Sequence, residues 1–329
     1  MTNKTKPMSK EALRELQKIA KRLNIPLSKL LFGTWENILV LKNNANKENI
    51  TKNLKEVKKK QITMESKVEW NAMRTVINVP DWYVSDDPIH FCFILDTKWT
   101  KQAVQPTWNI WKWAKVKIFA YCFWVEYEVI HGDWKKYNLD EWASLEVYEF
   151  NYNSDESYMK VFNTFTAKLE DNAFFKNYYV STVWHLWHGI TKWEVFCNWK
   201  NSKAEFTVKN RILDKDISDL DITFHLNWKN TSWTISSKSV TYWWWTNKFK
   251  AEMIWNWDDT KGHIECDEIS MWNAIISTKP ELLVKNPTSR LTHEASVWTL
   301  EKKAIENLMI KWFDEEQAIS FLVNWILDV

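Results

Sequence analysis

Apolar residues recur along this chain with three successive periods: helical at the start, two through the middle, and helical again at the end. Over residues 9–33, Ser9 can cap a helix whose Leu13, Leu16, Ala20 and Leu23 share a face, and Pro26 opens a second short piece, L-S-K-L-L-F. From about Lys42 to Gln61, Asn and Lys displace apolar residues, a composition that suits a linker. From Ile62 to about Ile276 the segments V-E-W-N-A-M-R-T-V-I-N-V, A-K-V-K-I-F-A-Y-C-F, A-S-L-E-V-Y-E-F-N-Y and A-E-F-T-V-K-N-R-I alternate, with β-branched and aromatic enrichment. No convincing helix interrupts them. A punctuation of turn, small residue and strand returns as N-I-W-K-W-A-K-V, C-N-W-K-N-S-K-A and L-N-W-K-N-T-S-W. Repeated short strands of this kind suit a β-solenoid or a β-sandwich, and the irregular spacing leaves both open.

After Lys279-Pro280 the pattern turns helical. Thr299 can cap a helix bearing Leu300, Ala304, Ile305, Leu308 and Met309 on one face, and Asp314 with Gln317 forms a capping-box pattern ahead of Ala318, Ile319, Phe321, Leu322 and Ile326. These two helices form an αα-hairpin whose apolar faces must cover the β-region or a partner. The predicted division is therefore an N-terminal helical element and linker over 1–61, a β-core over 62–278 and a C-terminal helical segment over 279–329.

Composition changes this picture at one point. The chain holds 25 Trp and 4 Gly in 329 residues, whereas Gly ordinarily contributes about 7%. Trp312 and Trp325 follow apolar helical stretches where a residue of positive φ closes a helix, Trp199 and Trp228 occupy Asn-Gly-like turn sites, and Trp243 to Trp245 stand where a Gly-rich turn would sit. Trp272 and Trp298 read the same way. A non-Gly residue at positive φ costs roughly 1 to 2 kcal/mol, so a dozen such sites would consume a domain's stability of about 5 to 15 kcal/mol. The expectation is that most of these positions are glycines, from a source whose genetic code reads UGA as Gly. An aromatic binding surface would not choose turn and cap positions, and no function is assigned to any Trp.

Charge excludes more than it suggests. With 44 basic and 42 acidic residues the net charge is +2, which gives no global pull toward nucleic acid or membrane. The basic run Lys52–Lys60 reads as a solvated face or linker. Four cysteines, Cys92, Cys122, Cys197 and Cys266, form no C-x-x-C pair, which argues against a disulfide framework or zinc ribbon and fits a reducing cytoplasm. The first residues lack an apolar segment, so neither signal peptide nor membrane span is expected.

Candidate chemistry gathers between His263 and Leu300. In I-E-C-D-E-I-S, alternation puts Ile264, Cys266 and Glu268 on one face of a strand; further on, His293 and Glu294 form a His-Glu pair. Taken singly each has a plain reading: Cys266 a small buried hydrophobe, His293 a hydrogen-bonding group, Glu294 a cap or surface charge. No H-E-x-x-H is present, and no P-loop appears even with glycines restored. Cys92 and Cys122 lie in apolar strands and read as core, Cys197 in V-F-C-N has no partner motif, and His185 with His188 reads as an exposed turn pair.

Together these residues carry a resemblance. The C-terminal run R-L-T-H-E-A-S-V-W-T-L-E-K-K-A-I-E-N-L-M-I-K-W-F-D-E-E-Q-A-I-S-F-L-V-N-W-I-L-D-V closely resembles the signature of the SufB/SufD family of iron–sulfur cluster assembly scaffolds, and G-H-I-E-C-D-E-I-S-M-W resembles its cysteine segment. The match is strong over about residues 220–329, weaker from Pro88 to Ile212, and improves with Gly at Trp298, Trp312 and Trp325. The resemblance implies a right-handed parallel β-helix with flanking helices, protomers that pair through it, and C-terminal helices that dock a SufC-type ABC ATPase. It also maps a cluster cysteine onto Cys266, a cluster-site glutamate onto Glu294 and a functional histidine onto His293. The implied cargo is a transient iron–sulfur cluster, with a second SufB/SufD-type protomer, a sulfur donor and apo acceptor proteins as further partners. Mixed thiolate, imidazole and carboxylate ligation suits a cluster that must be given away. Two other functions stand beside this one, a SufD-like interaction subunit without its own cluster and a β-helical polysaccharide-acting enzyme.

Overall fold

The computed structural model describes residues 38–42 and, with short internal gaps, 62–327. The helix expected over 9–33 and the run Lys52–Lys60 lie outside the described residues. Among the described residues, eighteen strands form two sheets of nine and, apart from the consecutive β2 and β3, alternate between them. One sheet takes β1 (Ile38–Lys42), β4 (Ile89–Leu95), β6 (Lys115–Trp124), β8 (Ser144–Tyr152), β10 (Phe174–Val183), β12 (Lys203–Ile212), β14 (Ser232–Tyr242), β16 (Lys261–Met271) and β18 (Arg290–Thr299). The other takes β2 (Thr63–Glu69), β3 (Ala72–Val79), β5 (Lys101–Ile110), β7 (Val129–Leu139), β9 (Met159–Leu169), β11 (His188–Cys197), β13 (Ile217–Leu226), β15 (Thr246–Trp255) and β17 (Ile275–Leu283).

Every neighbouring pair is parallel except β2 with β3. Parallel neighbours need a crossover, and here each crossover is a strand of the opposite sheet, so the chain winds as a β-solenoid. The rung is about 29 residues: Lys203, Ser232, Lys261 and Arg290 are successive register partners, and side-chain ladders repeat at a separation of 29. That regularity decides for the solenoid over the sandwich. Alternate residues of each strand point into the lumen, where Tyr137, Phe165, Phe175, Trp193, Phe206 and Phe224 are buried and pack ring against ring, edge-on or stacked. Burying such side chains supplies about 1.5–3 kcal/mol each.

One tight turn recurs in rung after rung, and it explains the punctuation. Its third residue is Trp82, Trp113, Trp142, Asn172, Asn201, Asn230 or Asp259, with φ between 55 and 63. From the second of these turns on, the next residue is Ala114, Ala143, Ala173, Ser202, Thr231 or Thr260, each essentially buried. Asn and Asp tolerate the left-handed region, and Trp does not. The repeat looks irregular in sequence because chemically different residues share this one backbone position.

The Trp positions divide into two groups. Trp272 and Trp312 do have positive φ, 48 and 79. Trp199 and Trp228 stand in turns whose positive φ falls on Asn201 and Asn230 instead. Trp298 lies within β18 rather than in a turn, and Trp325 is inside a helix rather than closing it. Trp243 and Trp244 lie outside the described residues.

Strand structure also runs further in both directions than periodicity indicates. Ile38–Lys42, inside the segment read as helix and linker, pairs with β4. At the other end β17 spans Lys279-Pro280, where a return to helix was expected, and strands continue to Thr299 instead of stopping near 278. Pro280 is tolerated because β17 is the outermost strand of its sheet and needs hydrogen bonds on one side only. Two helices follow, α1 (Lys302–Met309) and α2 (Glu315–Leu327). The capping box is present: the Gln317 amide donates to Asp314 Oδ1 at 2.7 Å and the Asp314 amide to Gln317 Oε1 at 3.1 Å. Val323 and Leu327 of α2 pack on Val240, Tyr242, Ile269 and Met271, so the hairpin covers the flank of the last rungs.

Candidate functional site

Cys266 lies on β16, one rung from the end of the solenoid. Ile264, Cys266 and Glu268 are all fully buried, as alternation predicts. The final rung lies over them: Ile264 pairs with His293, Glu265 with Glu294 and Cys266 with Ala295. Register partners in a sheet share a face. His293 is therefore on the lumen face, diagonal to Cys266, while Glu294 is on the outer face beside Glu265. Other outer-face pairs agree, with His263 Nδ1 2.7 Å from Thr292 Oγ1 and Ser296 donating to Asp267 Oδ1 at 2.6 Å. The structure thus brings together two of the three residues singled out in the sequence and separates the third. His293 and Glu294 are exposed, because among the described residues no strand stacks beyond β18.

Burial sets the electrostatics. It pushes the Cys266 thiol up to about 12, against a smaller opposing pull from the Thr278 side chain on β17. Glu268 is pushed up to about 8 by burial. Its carboxyl accepts hydrogen bonds from the Ser239 hydroxyl, from Asn247 Nδ2 at 2.7 Å and from Ser237 at 3.5 Å. Alternation places Glu268 on the lumen face, but its partners come from β14 and β15, twenty or more residues away, and no local signal joins them. Among the described residues no group of three or more His, Cys, Asp and Glu is close enough to hold a metal ion within one chain.

Of the other candidates, Cys197 is buried in the lumen, with its thiol pushed up to about 12 by burial. Cys92 and Cys122 sit on β4 and β6, their side chains outside the described residues. His188 begins β11 and His185 lies outside the described residues. No helix among the described residues is long and apolar enough to cross a membrane.

Residues 112–325, which include the whole of this site, match the family model for the SufBD core domain of the SUF iron–sulfur cluster assembly system. The chain belongs to the SufBD family. It is 22% identical over 270 residues to an iron–sulfur cluster assembly SufBD family protein of Methanocaldococcus jannaschii, covering 81% of this chain and 84% of that one. A SufBD family protein of Pyrococcus horikoshii is 40% identical over 70 residues, 21% of this chain and 22% of its own. One from Archaeoglobus fulgidus is 27% identical over 81 residues, 24% of this chain and 22% of its own. SufBD membership connects the chain with iron–sulfur cluster assembly.

Proposed function

We propose that this SufBD protein is a scaffold subunit that builds a transient iron–sulfur cluster and hands it on, with Cys266 as its thiolate ligand. The observation that carries this reading is the placement of Cys266 and His293, diagonal to each other, on one lumen face at the open end of the solenoid. One thiolate and one imidazole from a protomer cannot complete a cluster, so the remaining ligands come from a second SufB/SufD-type protomer placed end on, where Glu294 supplies a carboxylate from the outer face. A site with so few thiolates releases its cargo readily. A SufC-type ATPase docks on the α1–α2 hairpin, where Ile310 and Phe321 are exposed. A sulfur donor and apo acceptor proteins complete the exchange, in a reducing cytoplasm.

Anaerobic reconstitution with iron and sulfide tests the assignment. Cys266→Ala is expected to abolish cluster absorbance, and His293→Ala to lower it more than Glu294→Ala, because only His293 shares the cysteine's face. Uptake by Cys266→Ala equal to the parent's defeats the reading. The SufD-like alternative draws on the buried, protonated state of Cys266; it expects full ATPase capture by a chain that never takes up a cluster. The same proposal takes most Trp as glycine positions, supported by five Trp at positive φ. Coding DNA with UGG at all 25 positions removes that part.

A further inference from the structure

Four rungs before the cysteine, the lumen encloses a polar cluster unrelated to it. Lys135 and Asp133 come from β7, Asn163 from the adjacent β9, and Glu149 and Asn177 from β8 and β10 across the lumen. The side chains of Lys135, Asp133 and Glu149 are 4%, 2% and 6% exposed. Phe165, the register partner of Lys135, and Tyr137 wall the cluster off from water. Lys135 Nζ is 2.6 Å from Glu149 Oε2, 2.9 Å from Asp133 Oδ2 and 3.1 Å from Asn163 Oδ1. Asn163 Nδ2 donates to the same Glu149 Oε2 at 3.2 Å, and Asn177 Nδ2 donates to the other carboxylate oxygen at 3.3 Å.

We propose that Lys135 and Asn163 condense into an intramolecular isopeptide bond, with Glu149 as the proton shuttle. One carboxylate oxygen touches both the nucleophilic nitrogen and the nitrogen that must leave, which is what general acid–base catalysis of amide exchange needs. Glu149 takes a proton from the Lys135 ammonium, and Nζ attacks Cγ of Asn163. A second Nζ proton passes through Glu149 to Nδ2, the Cγ–Nδ2 bond breaks and ammonia departs. The first proton stays on Glu149, no electrons are exchanged, and the product is a secondary amide joining two adjacent rungs.

Asp133 and Glu149 together hold the Lys135 proton above its usual range, although burial acts against the charge. Transfer of that proton to Glu149 inside their hydrogen bond is aided by desolvation and opposed by the Asp133 carboxylate, so the neutral amine forms only transiently, at the moment of attack. Holding nucleophile and carboxamide in contact supplies the rest through effective concentration. Asp133 is a poorer acyl partner: an ionised carboxylate resists attack, and it lies two residues away on the same strand.

Mass spectrometry of the purified full chain, intact and after proteolysis, decides the matter. The expected result is a mass short by one ammonia and a branched peptide joining Lys135 to Asn163, with Glu149→Gln at full calculated mass. A parent chain at full mass overturns the proposal, as does a deficit that maps elsewhere, including loss of water between Lys135 and Asp133. A Glu149→Gln chain that still loses ammonia overturns the role of Glu149. If that variant does not fold, the branched peptide in the parent still decides whether the bond exists.

Discussion

Trp312 sits at φ 79 with 97% of its surface exposed, so burial of its side chain does not offset its backbone cost. Trp312→Gly is expected to stabilise the chain by about 1 kcal/mol, read as a higher urea midpoint; an unchanged or lower midpoint counts against the glycine reading of this site. His131 makes a second residue-scale case. It is buried with Nδ1 2.9 Å from Gln102 Oε1, and burial first, then the Lys135 charge, lowers its pKa to about 3. Between that value and the ordinary 6.5 the unfolded chain binds a proton that the native chain does not, so this residue's share of stability is lost as pH falls through that window. At pH 5 the loss amounts to about 2 kcal/mol. His131→Gln should flatten the difference between unfolding midpoints at pH 7 and pH 5, and an undiminished difference assigns it to other groups.

Elements show where local rules suffice. The capping box of α2 is legible from Asp314 and Gln317 alone because both partners lie within one turn. Asp314→Ala should cost about 1 kcal/mol, with faster hydrogen exchange confined to the first turn of α2; exchange unchanged there would mean the cap contributes little. Alternation likewise identifies the strands and the buried set of Ile264, Cys266 and Glu268. The helix expected from Pro280 onward shows the rule's reach, since whether a proline breaks a strand depends on which edge of which sheet the strand occupies. That is a long-range fact.

At the scale of the whole molecule, the solenoid ends on two uncovered strands. Ile275 and Leu283 on β17 and Val297 and Trp298 on β18 are 57%, 47%, 58% and 64% exposed. Such edges invite pairing with another chain, and the proposed two-protomer cluster site needs that pairing. Val297→Lys, a charge on the lumen side of the last strand, is expected to shift sedimentation from dimer to monomer and to reduce cluster uptake with Cys266 intact. Loss of the dimer with full uptake would place the whole ligand set inside one chain.

Much of this protein is written in short-range pattern: a β-rich middle, a capped terminal hairpin, a turn motif with its small buried follower, and a cysteine facing inward ahead of a His-Glu pair. Each follows from residues within a few positions of one another, where steric and hydrogen-bonding preferences act without knowledge of the rest. Winding decides what remained open. The 29-residue rung sets which residues meet, and so places His293 on the face of Cys266 and Glu294 on the other. It also buries the thiol beneath a last rung and gathers Lys135, Glu149 and Asn163 from three strands. Those juxtapositions depend on parallel register between distant segments, and register is fixed only when the whole lumen packs.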